Sequence, residues 1–187
     1  DPNEGGHMPA DLDGFAPPPT GAPGIFVSVH GASMYVYRMK VDFATPANTT
    51  RTRQASIPIA PATGACNGGG DCIPQPGITN PAQYLDVLSY RQRPTHRLAY
   101  RNFGKYEAMA TNQSVEARPG IAGVRWYEIR RTEVKKQFTY SVRQQGTYSP
   151  DNVHRWMGSV AQDWQGNTAL GYSVSYSTGV SPGILYT

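Results

Sequence analysis

The sequence predicts an all-β protein, and three observations favour this fold class. Glycine (20) and proline (16) are frequent, and only 16% of the 187 residues are charged, which is typical of chains with many turns and short strands. No segment keeps a helical period over about three turns. By contrast, roughly a dozen short segments combine aromatic and β-branched residues with turn residues on both sides.

The chain divides into a leading segment and a β domain. Residues 1–24 are rich in proline, glycine and aspartate, and this composition predicts an extended loop that wraps a surface. Residues 25–187 are predicted to form the β domain, which begins with strands at 25–30 and 33–43. In the second strand one alternating set is wholly apolar and is predicted to face the core. Its members are Tyr35, Tyr37, Met39, Val41 and Phe43.

Further strands follow to the end of the sequence. Pro58 restricts the strand at 54–60 to a sheet edge or a strand end, and a long irregular loop spans residues 61–83. Residues 84–91 are compatible with a strand or with one helical turn. The later predicted strands, apart from the hairpin, lie at residues 96–103, 106–116, 122–131, 138–149 and 183–187.

Residues 154–174 predict an antiparallel hairpin. Its turn is placed at residues 163–167, where Asp163 is suited to bond the backbone N–H groups ahead of it and Gly166 to adopt a positive φ. Gly104 is predicted to play the same role in an earlier turn. Two of the turns are therefore expected to depend on glycine.

A weak internal repeat groups these strands. His96 aligns with His154, and Gly123 aligns with Gly183, roughly 60 residues apart in each case. Each unit has the order strand, turn, strand, loop, glycine, strand. The period is compatible with the blades of a β-propeller, which are usually four-stranded sheets. We therefore predict a partial β-propeller of about three blades of antiparallel sheet.

Several segments together resemble one family of proteins. They are "CIPQPG", "RLAYRNFG", "AGVRWYEIR", "QQGTY", "HRWMGSVAQDWQGNTALGYSVS" and "ILYT". The set resembles a largely uncharacterised family of large, secreted, propeller-like bacterial proteins, distantly similar to sialidases with Asp-box turns. The resemblance covers most of residues 66–187. It implies a fragment of a longer polypeptide, incomplete at the C-terminus, and assigns no catalytic residue.

The expected partners follow from the blade count and from the charge. Three blades leave open sheet edges, since a closed propeller needs at least about four, so further sequence of the same polypeptide or neighbouring subunits are expected to cover them. A glycan is a further candidate partner. One run of alternating arginines is better explained by an exposed sheet face than by a phosphate groove, so no nucleic acid partner is expected. The run consists of Arg91, Arg93, Arg97 and Arg101.

Two cysteines, Cys66 and Cys72, flank the glycine-rich sequence "NGGGD". The glycines allow a small loop to close, and no histidine or further cysteine lies nearby in sequence to complete a zinc site. We therefore predict a disulfide and no metal site, and with the disulfide a secreted or cell-surface location. No apolar run approaches the ~20 residues of a membrane-spanning helix, and no cofactor is expected.

An aromatic residue in the hairpin turn is the best candidate for ligand binding. Trp164 is predicted to be exposed beside Asp163, whereas Trp126 and Trp156 lie in strands and are predicted to be buried. These features favour a non-catalytic segment that serves adhesion, assembly or ligand binding. One alternative is a subunit of an extracellular assembly.

The other alternative is part of a sialidase-like, glycan-active hydrolase or lyase. Such an enzyme needs an arginine cluster, a tyrosine activated by a glutamate, and an acidic residue. Tyr127 and Glu128 are the candidate pair, but adjacent residues of a strand point to opposite faces, which argues against the enzyme. The arginine and acidic candidates are Arg97, Arg125, Arg155 and Asp163.

Overall fold

The computed structural model describes residues 6–68, 70–87, 93–135 and 137–187. In these residues strands are the dominant regular structure, which confirms the predicted all-β class. Three short 3-10 turns lie at Pro46–Asn48, Ala65–Gly68 and Pro81–Gln83. The strands are β1 (Met8–Leu12), β2 (Gly24–His30), β3 (Ser33–Lys40), β4 (Thr50–Pro58), β5 (Asp71–Ile73), β6 (Leu85–Asp86), β7 (Thr95–Asn102), β8 (Glu107–Arg118), β9 (Ile121–Val134), β10 (Gln137–Tyr148), β11 (His154–Gln162), β12 (Thr168–Ser175) and β13 (Gly183–Tyr186).

Eight strands form one nearly closed, barrel-like sheet in the order β10-β9-β8-β7-β1-β2-β3-β4. Neighbouring strands are antiparallel except β1 and β7, which run parallel. The terminal strands β4 and β10 face each other across a seam, beside which the backbone N–H of Ala60 donates to Oε1 of Gln145 (3.0 Å). The predicted three-blade propeller is not shown, because these eight strands belong to one sheet and do not divide into separate four-stranded blades.

A three-stranded antiparallel sheet, β11-β12-β13, covers the outside of β7, β8 and β9. Val160, Leu170 and Val174 of this sheet pack in one apolar cluster with Ala110 and Val124 of the barrel. Strands β7–β9 and β11–β13 are both antiparallel meanders. The two units of the sequence repeat therefore have the same strand order, and they pack face to face.

A small two-stranded sheet, β5 and β6, lies next to the disulfide loop. Cys66 and Cys72 form the predicted disulfide, with Cα atoms 5.5 Å apart. Both cysteines pack on a separate apolar cluster that includes Ala122 of β9 and Trp156 of β11. The loop is thereby joined to the barrel and to the outer sheet.

The barrel interior is apolar along β2, β3 and β4. Val27, Met34 and Val36 are fully buried there, in one cluster with residues of β7, β8 and β9. Met34 and Val36 are thus the inward-facing residues of β3. Tyr37 of the opposite set is also buried, but it lies outside this interior cluster, so the prediction that the whole set faces the core was wrong. Val41 and Phe43, which belong to the predicted set, are exposed.

Aromatic side chains on the outer face of β3 are covered by arginines of β4. The guanidinium carbon of Arg53 lies 4.7 Å from the ring centroid of Tyr35, and that of Arg51 lies 4.7 Å from that of Tyr37. Such contacts shield a ring from water while the arginine head stays hydrated. Because Met34 and Val36 face inward, the two-residue period of the strand also carries Arg38 inward, at the end of the barrel.

Strands β11 and β12 form the predicted hairpin, with its turn at residues 163–167, and β13 adds to β12 as expected. Trp156 is 6% exposed and Trp164 is 75% exposed, and both values confirm the prediction. Trp126 is only partly buried, although it was predicted to be buried. It stands opposite Gly146 on β10, and its indole occupies the space of a side chain there, since a Cβ on Gly146 would lie 3.1 Å from indole atoms.

The leading segment, predicted as an extended loop over residues 1–24, contains the short strand β1. Residues 1–5 lie outside the described residues, and residues 13–23 run without regular structure. Residues 84–91, whose sequence is compatible with a strand or with one helical turn, include β6. Residues 88–92, which include Arg91 of the alternating run, also lie outside the described residues.

Candidate functional site

One end of the barrel contains a small cavity, which we call the inner cavity. It lies near the ends of β1, β3, β7 and β9 and the beginnings of β2 and β8, and residues 13–23 contribute to its wall. Its volume is about 160 Å³, close to that of an engineered protein cavity of about 150 Å³ that binds benzene. The lining residues are Ala10, Leu12, Pro18, Ala22, Pro23, Gly24, Ile25, Arg38, Tyr100, Glu107 and Arg131.

Glu107 and Arg131 form a buried ion pair in the wall of the inner cavity. They lie directly opposite each other on β8 and β9, and Nη1 of Arg131 donates to Oε2 of Glu107. The Glu107 side chain is 9% exposed and the Arg131 side chain 6%. A buried pair contributes little net stability compared with apolar side chains of the same volume, so its position on a cavity suggests a role in binding.

Two buried polar atoms of this region, Nε of Arg131 and the hydroxyl of Tyr140, have no hydrogen-bond partner among the described residues. Burial, together with the Glu107 carboxylate that accepts a hydrogen bond from the Tyr100 hydroxyl, raises the pKa of Tyr100, and burial raises the pKa of Tyr140. Both phenols are therefore protonated near neutral pH. A buried polar group without a partner costs about 1–3 kcal/mol, so these two atoms lower the stability of this end of the barrel.

Arg38 enters the same cavity from β3 and is half-buried. No carboxylate lies within ion-pair distance of it in the part of the chain that the structure describes. Its guanidinium carbon lies 5.9 Å from the ring centroid of Phe138, and that of Arg131 lies 3.6 Å from the same centroid. The inner cavity is thus lined by two guanidinium groups and one carboxylate, with an excess of one positive charge.

A larger cleft of about 420 Å³ adjoins the inner cavity, and we call it the outer cleft. The residues that line both are Ala22, Arg38, Glu107 and Arg131. The leading segment is fastened here, because Nδ2 of Asn102 donates to the carbonyl oxygen of Pro17 (2.9 Å). The shared residues join the inner cavity to a cleft whose lining includes further polar side chains.

The predicted turn glycine Gly104 lies in the wall of the outer cleft. Its φ is +79°, and its N–H donates to Oδ1 of Asn102 (2.8 Å). The other predicted turn glycine, Gly166, has a φ of +87° in the β11–β12 turn. Both positions favour glycine because residues with a side chain rarely adopt such a backbone φ.

Trp164 and Asp163, the residues predicted to bind a ligand, lie in the β11–β12 turn and line neither the inner cavity nor the outer cleft. Oδ1 of Asp163 accepts hydrogen bonds from the N–H groups of Gln165 and Asn167 (2.8 and 2.9 Å). Bonds from the Asn167 side chain and from the backbone lower the pKa of Asp163. Asp163 therefore shapes the turn, and binding at the exposed Trp164 stays a prediction.

The arginines considered for a sialidase-like site are held by separate partners. Arg97 pairs with two aspartates of the leading segment. Arg155 forms a bidentate pair with Asp151 (2.7 and 2.9 Å), and Arg125 donates to the carbonyl oxygen of Ala60 (3.3 Å). Each guanidinium is therefore engaged locally, instead of joining a cluster for one substrate carboxylate.

Tyr127 and Glu128 point apart, as strand geometry requires. The Tyr127 hydroxyl accepts a hydrogen bond from Nε2 of Gln113 (3.0 Å), and burial raises the pKa of Tyr127 to about 12. Glu128 instead accepts hydrogen bonds from Arg130 and Gln144. The glutamate is thus not engaged with the tyrosine it would have to activate.

The sequence analysis missed the polar residues of the inner cavity, which are Arg38, Tyr100, Glu107 and Arg131. They come from four different strands, so no local motif connects them. One usable signal was present, because Arg38 continues the alternating set of β3 that proved to face inward. That signal has meaning only when the inward face of the strand is known.

Two other classes of feature are not found in residues 6–68, 70–87, 93–135 and 137–187. Within these ranges, no group of three or more histidine, cysteine, aspartate or glutamate side chains is placed to hold a metal ion. The same residues include no helix with the length and apolar character needed to cross a membrane.

No protein-family model matches the chain. No curated protein and no solved structure matches it either. The resemblance to secreted propeller-like proteins therefore remains an expectation, and function is inferred from the chemistry of the barrel end.

Proposed function

We propose that the chain is a non-catalytic ligand-binding module of a secreted or cell-surface protein, and that it takes a small molecule into the inner cavity. The supporting observation is a cavity in which apolar walls meet the half-buried guanidinium of Arg38 and the buried Glu107–Arg131 pair. Binding pockets typically combine a mostly apolar lining with a few polar groups that fix the orientation of the ligand.

A non-catalytic role is supported by the state of the titratable groups. The Glu107 carboxylate is engaged by Arg131, and the raised pKa of Tyr100 keeps its hydroxyl protonated near neutral pH. The residues that line the inner cavity include no histidine, cysteine, serine or lysine. General acid–base catalysis works best with a group whose pKa lies near the working pH, and this lining set lacks histidine, the side chain whose ordinary pKa is closest to neutral.

The proposed location is supported by the disulfide between Cys66 and Cys72. Disulfides form and persist in oxidising compartments, including the cell exterior, and are rare in reducing ones. A secreted or cell-surface module with a small-molecule cavity is therefore consistent with the disulfide and with the lining of the inner cavity.

Assembly with further sequence or with a neighbouring subunit is a second candidate function. It is favoured by β13, at the edge of the outer sheet, where Ile184, Leu185 and Tyr186 are all exposed. Exposed apolar residues on an edge strand are typical of surfaces that pair with another chain. This role is compatible with ligand binding, because β13 lies on the outer sheet and does not line the inner cavity.

Heteronuclear NMR tests the ligand-binding proposal. The protein is titrated with a panel of benzene-sized acids, amides, alcohols and amines, and we expect at least one compound to shift the amide signals of Ile25, Tyr100 and Arg131. Ala22→Phe, which fills an exposed position in the cavity wall, is expected to abolish these shifts. The matched control is Ala44→Phe, at an exposed position away from this cavity.

The outcomes of this experiment are distinct. Shifts that disappear in Ala22→Phe and persist in Ala44→Phe support the proposal. If no compound of the panel moves the signals of the cavity residues, or if Ala22→Phe binds as the wild type does, the inner cavity is not a ligand site and the proposal is wrong.

A further inference from the structure

We infer that the ligand of the inner cavity is a small carboxylate with an apolar body, whose carboxylate binds Arg38. This inference rests on the proposed function and specifies the ligand class of the same site. Two features of the cavity carry it: the charge of Arg38, which has no acidic ion-pair partner among the described residues, and the apolar wall beside that charge.

The first feature is the charge balance of the cavity wall. Arg131 is paired with Glu107, whereas Arg38 faces the same space with no acidic partner among the described residues. A half-buried guanidinium is poorly screened by water and attracts an anion. Its planar fork of N–H groups matches the two oxygens of a carboxylate.

The second feature is the apolar wall. Leu12 of β1 and Ile25 of β2 meet Pro18 and Pro23 of the leading segment around the cavity. The volume of about 160 Å³ suits a body of about six carbon atoms, on the scale of the engineered cavity that binds benzene. Burying such a body is favourable in proportion to the apolar area removed from water. An inorganic anion would leave this wall unused, so the shape favours an organic acid.

The sign of the cavity charge also argues against the opposite ligand class. An ionised carboxylate is acceptor-only, so it can take the N–H donors of Arg38. A cationic amine would bring only donors and would face the excess positive charge of the lining.

The test compares three probes at pH 7 by isothermal titration calorimetry: benzoate, its neutral isostere benzamide, and acetate, which has the charge without the apolar body. We expect benzoate to bind at least about tenfold more tightly than either, because charge-assisted hydrogen bonds and apolar burial each contribute more than one power of ten in affinity. Arg38→Gln is expected to remove the preference for benzoate over benzamide.

Two further variants separate charge from fold. Arg53→Gln removes the same charge from the outer face of the barrel, where Arg53 stacks on Tyr35, and is expected to bind benzoate as the wild type does. Arg38→Lys keeps the charge without the fork and is expected to retain part of the preference. Circular dichroism spectra that match the wild type show that each variant is folded.

The results distinguish an error in the inferred ligand class from an error in the proposed binding site. If benzamide binds as tightly as benzoate, or if Arg38→Gln keeps the preference, the inferred ligand class is wrong while the cavity remains a binding site. If acetate binds as well as benzoate, the apolar wall has no role and the inference also fails. If neither these probes nor the panel of acids, amides, alcohols and amines binds at the cavity, the proposed function itself is wrong.

Discussion

Arg38 illustrates how one position acquires a role from its strand. It follows two buried apolar residues, Met34 and Val36, on the same face of β3. The period of two residues in a strand carries this face to the end of the barrel, where a long charged side chain reaches both the cavity and the solvent. The strand thus contributes core residues at Met34 and Val36 and a cavity-lining residue two positions later, at Arg38.

The two tryptophans of the β11–β12 hairpin are expected to differ strongly in their effect on stability. Trp156 is 6% exposed and Trp164 is 75% exposed. Replacing Trp156 by alanine should lower the free energy of unfolding by about 3–5 kcal/mol, because a large buried side chain is lost. Trp164→Ala should change it by no more than about 0.5 kcal/mol. Urea unfolding measures both, and similar losses would contradict the strand–turn–strand structure.

Asp151 is expected to give the stability a specific dependence on pH. The bidentate pair with Arg155 lowers the pKa of Asp151 from its ordinary value of 3.8 to about 2. A lowered pKa in the folded state means that the contribution is fully present above pH 3.8 and is lost as the pH falls towards 2.

The measurement is the melting temperature of the wild type and of Asp151→Asn between pH 2 and pH 6. The wild type should be more stable at the upper end, and the difference should shrink between about pH 4 and pH 2. A difference between the two proteins that stays constant over this range would show that the Asp151 carboxylate keeps the same pKa in both states.

At the scale of elements, β8 is the strand that the rest of the fold covers on both faces. Residues 107–115 are all buried, because β8 lies between the barrel interior on one face and the outer sheet on the other. Met109 faces the interior cluster, while Ala110 faces the outer sheet. Strands covered on both faces lose the polar alternation that sequence patterns rely on.

The disulfide loop is an element whose contribution can be measured separately. Replacing both cysteines, Cys66→Ser with Cys72→Ser, should lower the free energy of unfolding by about 2 kcal/mol, since the bond closes only a short loop. Reduction of the wild-type protein should have the same effect.

Thiol labelling and mass spectrometry provide the independent check on the same element. Protein purified without reductant should have no reactive thiol, and its intact mass should rise by two hydrogen atoms on reduction. Free thiols at both Cys66 and Cys72 in such a preparation would refute the disulfide.

At the scale of the whole molecule, the seam between β4 and β10 is the weak side of the barrel. Both strands are largely exposed, and in the part of the chain that the structure describes no backbone ladder joins them. The opposite side, at β8, is covered by the outer sheet. Local opening is expected to begin where the apolar contacts are fewest.

Hydrogen exchange tests this asymmetry. Amides of β8 should exchange more than about tenfold more slowly than those of β4 and β10, because opening β8 requires the whole fold to unfold. Mass spectrometry of peptides from each strand gives the rates. Equal protection of β4 and β8 would mean that the seam is closed in solution, by direct pairing or by association with another chain.

The sequence by itself determined the features with local causes. The hairpin turn follows from Asp163 and Gly166, and the disulfide follows from two cysteines on either side of a glycine-rich loop. Both depend on residues that are close in the chain, so no knowledge of distant segments was needed. The all-β class followed in the same way, from composition and from the lack of a helical period.

Only the tertiary structure decided how the strands combine and which of their faces point inward. In the barrel, Ala10 of β1 lies beside Leu98 of β7, a parallel pairing between segments separated by most of a hundred residues that no local pattern specifies. The aromatic rings on the outer face of β3 are covered by arginines of β4. Apolar character alone therefore could not identify which face of β3 points inward. Because closure of the sheet fixes that face, it also brings Arg38 next to the Glu107–Arg131 pair and creates the inner cavity.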